Sequence, residues 1–594
     1  MDTDTAPTSQ ADAPLAVNPV AGGSPAAGDS PVAGDPATGD QILAGGVDGA
    51  IDTYFGPVAD ALSAVVFYEL PLPGGFGLPL IVLWLMVAAV FITVYLRFQP
   101  ITGLKHSLRV IRGKATRKTD PGEVSSFQAL ATELSGTVGL GNIAGVAVAI
   151  TIGGPGAALW IFAFGFFGMS MKMAEATLGV KYRRIEADGR VAGGPMYYLR
   201  DGLKEIGRPR LGRFLAIFYA VATLIGVFGA GNLFQANQVT AAVVGATGGD
   251  SSWLADKLWI VGVLIAVLTG FVILGGIRKI ADWTSAITPL MAVLYFVGAV
   301  AVILVHIENL PGAFVLMFEG AFTGEGVAGG IVGVAIVGIQ RALFSNVAGV
   351  GTAGMAHSAS KTTDPATEGY TAMWEPLVDS MIICMLTALA IITSGLYDVE
   401  TDGSDEAGVQ LATSAFSSVT PWFGTLLTVC VILFGFSTIL AYAYYGQRAV
   451  GFLTGESRRA DKIFQVAWVL AIVLGASASL SSVIAFSDAM LFLMAVPNLL
   501  GIYFLSRIVR LEILRYRTRA RAGMLEEIPE DLQVGMRNHE PTRVQVREEK
   551  ARLTAVKERQ RAVRREFRKV QEARRGRGAG QRRRRLAEGD TAAE

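Results

Sequence analysis

Residues 135–142 read SGTVGLGN, inside an apolar run from 127 to 151 that is long enough to cross a membrane. Three glycines and three small polar side chains stand where a stable buried helix would carry leucine. Each glycine costs about 1 kcal/mol relative to alanine inside a helix, so the run is expected to unwind near its middle. Backbone that unwinds in lipid needs another use. Discontinuous helices near the bilayer centre meet that need when half-helix amides face an anionic group and freed carbonyls face a cation. On this reading Thr137, Gly139, Leu140, Gly141 and Asn142 form a binding segment in which Leu140 and Gly141 offer amides to a carboxylate, while the carbonyls of Ser135 and Val138 face a cation. Glycines at 136, 141 and 145 equally suit close helix packing through small residues, and spacing alone does not choose between the two uses.

The surrounding chain is that of a membrane protein. Of its 594 residues 52% are hydrophobic and 17% charged, against about a quarter charged in an ordinary soluble domain. Apolar runs of roughly 20 residues, each able to span a hydrocarbon core of about 30 Å, recur at 78–98, 127–151, 155–178, 214–242, 258–275, 284–305, 328–356, 370–395, 421–446, 463–483 and 487–508. They lack the alternation of a β-barrel, so the expected fold class is an all-α polytopic membrane protein with about 11 transmembrane helices. Cys384 and Cys430 both fall inside spans and read as buried structural thiols. The four histidines share no metal-ligand spacing, and no Ser/His/Asp or Cys/His constellation appears, so neither a catalytic metal nor an enzyme is expected.

Residues 1–77 contain no Lys or Arg and repeat fragments such as GGSPAAGDSPVAGDPATGD, which reads as a disordered acidic tail rather than a cleaved signal. Basic connections (97–118, 181–213, 277–279, 456–462) alternate with connections nearly free of Lys and Arg, which places the basic ones and the C-terminus inside and the N-terminus outside. The Arg-rich tail, 509–594, reads as a solvated helix near anionic headgroups, with nucleic-acid binding the lesser reading. Gln235 and Asn237 lie in an apolar span and serve either as interhelical hydrogen bonds or as substrate contacts, Gln235 leaning towards contact. Asn142 sits at the break, where it either contacts substrate or caps the second half-helix. Lys172 and Glu175 are spaced to pair with each other, and Asp379 is read as a partner of Arg341 or a loop-side charge.

The run SGTVGLGNIAGVAVAI, with GGPGAALWIF, GMSMKMAEATLGVKYR, GGPMYY, GNLFQANQ (231–238), RALFSNVAGVGTAGMAHSAS (341–360), EPLVDSMIICMLTAL (375–389) and FGFSTILAYAYYG (434–446), resembles the alanine or glycine:cation symporter family over about residues 127–508. That resemblance implies the fold of the bacterial leucine transporter: one extra N-terminal helix, then five helices repeated in inverted topology, here about 127–305 and 328–508, with the spans at 127–151 and 328–356 both broken. It also implies sodium-coupled import of a small neutral amino acid such as alanine or glycine across the plasma membrane, with sodium as coupling ion and no other cofactor. Ser437 and Thr438 with the carbonyl of Phe434 then join Ser135 and Val138 as sodium ligands, although hydroxyls in membrane helices also commonly bond the preceding turn's carbonyl. Proton coupling on the same fold, and a ligand-binding sensor or channel without coupled transport, are the alternatives. Against the family pattern, Val347 replaces a glutamate (FSNEAG), GTAG replaces GSAP, GLGN replaces GTGN, and Tyr442 replaces a tryptophan.

Overall fold

The computed structural model describes residues 61–522 except 73–75, 187–188, 324–329, 399–407 and 479, together with residue 57 and short pieces between 528 and 558. Most of the acidic N-terminal tail and the end of the basic tail lie outside the described residues. Described structure reaches back before residue 78: strand β1 (Glu69–Leu72) pairs antiparallel with β2 (Phe76–Pro79) and leads straight into the first apolar helix.

That helix is α1 (Leu80–Tyr95), followed by the amphipathic α2 (Leu104–Ile111). The SGTVGLGN run divides its span into α3 (Ser126–Thr137), a 3-10 turn (Leu140–Asn142) and α4 (Ala144–Gly153). Next come α5 (Ala157–Lys181), α6 (Pro195–Glu205), α7 (Pro209–Phe228), α8 (Phe234–Ala246), α9 (Leu258–Ile273), α10 (Gly276–Val305) and α11 (Leu310–Thr323). A second divided span comprises α12 (Gly330–Asn346) and α13 (Thr352–Ser358). The chain finishes with α14 (Pro365–Ala372), α15 (Met385–Thr393), α16 (Val409–Ser417), α17 (Pro421–Thr454), α18 (Arg458–Ser477) and α19 (Leu480–Arg521).

Among the described residues seven helices are long and apolar enough to cross a membrane, or eight when the pair bent by 56° at residues 138–139 counts as one span. The shorter apolar α1, α9 and α12 lie where the sequence places further spans. Two π-helical segments, Gly229–Leu233 and Leu377–Cys384, interrupt long helices beside the breaks. Such bulges shift the helical phase locally and expose carbonyls to new partners.

The centre of the molecule is built from α5, which packs against α12, α13 and α14, and from α17, which packs against α3, α7, α8 and α10. Backbones meet closely here because small residues line the crossings. A Cβ on Gly179 of α5 would lie 2.3 Å from the carbonyl oxygen of Gly354 in α13. Side chains facing lipid, such as Leu264, Val267 and Phe271 of α9, are apolar and exposed.

Several charged side chains are buried at the centre. Lys172 of α5 is fully buried, 2.5 Å from Glu133 of α3 and 3.1 Å from Glu375. Thr352 at the start of α13 donates to the same Glu133 oxygen at 2.5 Å, and Tyr445 of α17 donates to the other. His357 of α13 lies between two carboxylates, Nδ1 2.7 Å from Glu368 and Nε2 2.6 Å from Glu375, and Ser126 donates to Glu368 at 2.6 Å. The expected Lys172–Glu175 pair is therefore replaced: Glu175 accepts from the Gly349 amide and the Asn498 side chain, both at 2.9 Å. Helical spacing brought the two residues near, but three-dimensional packing offered Lys172 two carboxylates from other helices. Likewise Arg341 pairs with Asp488 of α19, not with Asp379.

On the face bearing the arginine-rich connections, Arg183 donates to the carbonyls of Ser358, Ser360, Thr362 and Pro121 at 2.6–2.8 Å. It thereby satisfies oxygens left over at the end of α13 and ties them to the segment entering α3. The C-terminal chain also returns to this face: Lys118 N donates to Leu532 O at 2.9 Å and Val534 N to Thr116 O at 3.2 Å. This described part of the basic tail is packed rather than solvated, and α19 itself runs 13 residues past the expected span end at 508.

Replacing Lys172 by methionine would strand Glu133 and Glu375 without their shared cation. The expected cost is about 3–5 kcal/mol, read as a loss of thermal stability of the purified protein. Lys204→Met, at an exposed position, is expected to stay within about 0.5 kcal/mol of the parent.

Candidate functional site

The first break is built by conformation and then held by side chains. Helix α3 starts with a capping box, Ser125 accepting from Gln128 N at 3.1 Å while the Gln128 side chain accepts from Ser125 N at 3.0 Å. It ends at Val138, whose ψ of 81° leaves the helical region, and Gly139 follows in an extended conformation. Gly139 N donates to the side chain of Asn142 at 3.0 Å, and Leu140 N to Oε1 of Gln235 at 3.4 Å, a long bond. Gln235 stands just past the π-helical turn of α7–α8 and donates in turn to Ala230 O at 2.9 Å.

Asn142 does not cap α4, whose start has no side-chain cap; its side-chain oxygen closes the short turn on Gly139 N, and its amide reaches outward. Its Nδ2 donates to the Asp379 carboxylate at 2.7 Å, and its carbonyl accepts from Thr387 at 2.8 Å. The other oxygen of Asp379 accepts from Ser345, the penultimate residue of α12, at 2.5 Å and from Ser380 at 2.9 Å. One fully buried carboxylate thus links both divided helices. Sequence reading left Asp379 outside the site; the missed signal was an acid inside the apolar run PLVDSMIIC, three residues after a proline.

The oxygen cluster expected for a cation is assembled in part. Thr438 Oγ1 donates to Ser135 O at 2.8 Å and lies 3.0 Å from Phe434 O. Ser437 Oγ donates to Phe434 O at 3.0 Å, and Ser135 Oγ to Ser437 O at 2.7 Å. Both hydroxyls of α17 therefore make the local bond to the preceding turn, and Thr438 also bridges to α3. Val138 is buried at the end of α3, where it donates to Leu134 O at 2.6 Å. All these donors are neutral oxygens, a set suited to a hard monovalent cation.

Of the binding segment, Gly139, Leu140, Gly141, Asn142 and Gln235 come together. A Cβ on Gly139 would stand 2.6 Å from Thr438 Oγ1, and one on Gly141 3.1 Å from the Phe344 ring. Thr137 instead turns back on its own helix, bonding Glu133 O at 3.2 Å. Asn237 makes an interhelical bond to Ala478 O at 2.6 Å. An apolar groove of about 440 Å³ between α8, α9 and α17 offers no polar atom that would orient a zwitterion.

Two divided helices meeting at a buried carboxylate, beside a cluster of neutral oxygens, define a membrane carrier rather than an enzyme. A profile of the "Sodium:alanine symporter family" matches residues 74–530. The sodium/alanine symporter AgcS of Methanococcus maripaludis is 37% identical over 432 residues, 73% of this chain and 92% of the relative. The probable sodium/glutamine symporter GlnT of Bacillus subtilis is 32% identical, over 75% of this chain and 89% of that one. Among solved structures, MhsT in complex with L-phenylalanine aligns at a TM-score of 0.47 with 16% identity, covering 67% of this chain and 99% of the other. The chain belongs to the sodium:alanine symporter family. It is a multi-pass membrane protein that carries an amino acid together with a cation.

Gly139→Ala is expected to abolish uptake, because its methyl would fall within van der Waals contact of the Thr438 hydroxyl. Gly245→Ala, with nothing within 4 Å of the added carbon, should leave uptake unchanged in the same vesicle assay. Asp379→Ala removes the acceptor of three buried donors at about 1–3 kcal/mol each, and is expected to lower both thermal stability and uptake, with Asp379→Asn retaining more of each.

Proposed function

We propose that this protein imports a small neutral amino acid of the alanine or glycine class in symport with sodium, by alternating access across the cell membrane, its C-terminus cytoplasmic and its N-terminus outside. The observation that carries the reading is the meeting of Ser135 O and Thr438 Oγ1 at 2.8 Å beside the unwound Gly139–Leu140 backbone. A sodium ion at that place would replace the hydrogen bond, the Thr438 proton turning away so that both oxygens face the ion. Val138 O, Phe434 O and Ser437 Oγ complete the proposed ligand set. The substrate carboxylate would take the Leu140 amide, whose present bond to Gln235 is long at 3.4 Å and so easily exchanged. Gly139 and Gly141 leave room for backbone to approach a ligand with a short side chain. The 56° bend at 138–139 supplies the hinge about which α3 would rotate between outward-open and inward-open states. The names of the relatives, sodium/alanine and probable sodium/glutamine symporters, support an amino acid and sodium as the pair carried.

A second reading, proton coupling, draws on a specific feature: His357 held between Glu368 and Glu375, which continue through Lys172 to Glu133, two residues before Ser135. One relative bears the name putative sodium/proton-dependent alanine carrier protein.

Uptake of radiolabelled alanine and glycine into proteoliposomes, driven by sodium, by potassium or by a proton gradient alone, tests the two. Sodium-dependent accumulation is expected, and Thr438→Ala should raise the sodium concentration for half-maximal uptake about ten- to a hundredfold, the loss of one contact to a charged group. Accumulation driven by protons with no response to sodium would replace the first reading by the second. Binding without accumulation would overturn both.

A further inference from the structure

On the face carrying the arginine-rich connections a cavity of about 260 Å³ lies where α2, the segment 114–120, the start of α14 and the end of α19 converge. Ile528 of the returning C-terminal chain forms part of its wall. Its charge is unbalanced. Arg109, Lys114, Arg117 and Arg519 line it against two carboxylates, Asp120 and Asp364. Asp364 is already paired with Arg519, and Asp120 accepts the backbone amide of Arg117 at 2.8 Å. Arg109 and Lys114 are brought to the same rim by the turn that closes α2, in which Lys114 N bonds Arg109 O at 3.3 Å. Both side chains are exposed, and neither makes an ion pair among the described residues.

The back wall is neutral. His106 lies 2.9 Å from the Tyr516 hydroxyl, and burial together with the neighbouring Arg109 holds its pKa below the ordinary 6.5. The cavity thus presents two uncompensated cations, backed by hydrogen-bonding groups. Its surroundings suit a membrane surface: α2 follows the apolar α1 after one short helical turn (Gln99–Thr102), and Leu108 of α2 is 40% exposed and Ile101, in that turn, 67%. A short helix with a basic edge and exposed apolar side chains is the form that lies in the headgroup layer.

We infer that this cavity binds a phosphate group, with Arg109 and Lys114 as its charge contacts and Arg117 and Arg519 as flanking donors. Arginine presents a planar fork matched to phosphate oxygens, and lysine adds a point charge. An anionic phospholipid headgroup and a free phosphate share that chemistry. Basic pockets between membrane helices on the side facing anionic lipid take headgroups in this way. The inference does not depend on which ion drives transport.

The test is native mass spectrometry of the full-length protein in detergent, with phosphatidylglycerol, phosphatidylcholine or inorganic phosphate added at matched concentrations. Three proteins are compared: the parent, Arg109→Ala/Lys114→Ala, and Arg210→Ala/Arg213→Ala, which removes two exposed cations elsewhere on the surface. Saturable binding of phosphatidylglycerol but not phosphatidylcholine is expected in the parent and in the second pair. It should weaken about 30-fold in the first pair, corresponding to about 1 kcal/mol for each charge removed. If inorganic phosphate alone binds with the same dependence on Arg109 and Lys114, the site stands and the free ion is its ligand. Equal weakening in both double variants would show diffuse surface attraction and overturn the site, as would no binding of either phosphate compound. A thermal melt of each variant, expected within a degree or two of the parent because all four side chains are exposed, separates lost binding from lost fold.

Discussion

Backbone groups released inside a membrane have no water to turn to, and the arrangement of this protein follows from how its two breaks answer that demand. At the first, Asn142, Gln235, Thr387 and Thr438 serve the amides and carbonyls between Ser135 and Asn142. At the second, Asn346 accepts the Ala348 amide, Glu175 accepts the Gly349 amide, and Asn498 donates to the Gly349 carbonyl. These partners come from α5, α8, α15, α17 and α19 as well as from the breaks themselves. Sliding any of those helices by one turn, about 5.4 Å, would leave polar groups stranded at about 1–3 kcal/mol each. The register of the helices around the breaks is tied to these seven backbone atoms.

The buried charges serve the same geometry. Ion pairs in a low-dielectric interior contribute little net stability relative to well-packed apolar groups, so stability alone does not account for Glu133, Lys172, Glu375, His357 and Glu368 forming one chain. Their positions suggest what they do contribute. Glu133 belongs to α3 and His357 to α13, the half-helices on the same side of the two breaks, and Lys172 and Glu375 join them through α5 and the end of α14. Those halves are thus tied to each other, and α17 joins α3 through Tyr445, Thr438 and the bond from Ser135 to the Ser437 carbonyl.

Much of this was legible beforehand. The apolar runs gave the helices and the glycines of 135–142 located the first break, because helix propensity and hydropathy act through local sequence; the second break followed from the family resemblance. What stayed hidden was pairing at a distance. Lys172 and Glu175 are neighbours on one helix face, yet each is bonded to other helices, and Asp379 looked like a stray acid although it holds Asn142 and Ser345 together. The π-helical segments at 229–233 and 377–384 leave no mark in composition, but they redirect the side chains at and just beyond them, among them Gln235 and Asp379. The placement of Val347 was also invisible: it is buried with a φ of 44°, a left-handed conformation that a β-branched residue adopts at a cost of about 1–2 kcal/mol.

That strained valine bears on how coupling would work under the proposed function. An apolar residue at 347 adds no charge of its own to the second break, and at the first Glu133 is already matched by Lys172 while Asp379 is held by Asn142, Ser345 and Ser380. A cation entering between Ser135 and Thr438 would then find no fixed counter-charge in contact with it. A carboxylate about 5 Å from the ion would be its partner, that of an amino acid seated on the Leu140 amide. At an effective dielectric of about 20, two unit charges at that separation attract by about 3 kcal/mol, enough for each ligand to raise the other's affinity by about a hundredfold. Because such coupling is reciprocal, a neutral site would hold neither ligand well alone and both well together, which is the property a symporter requires.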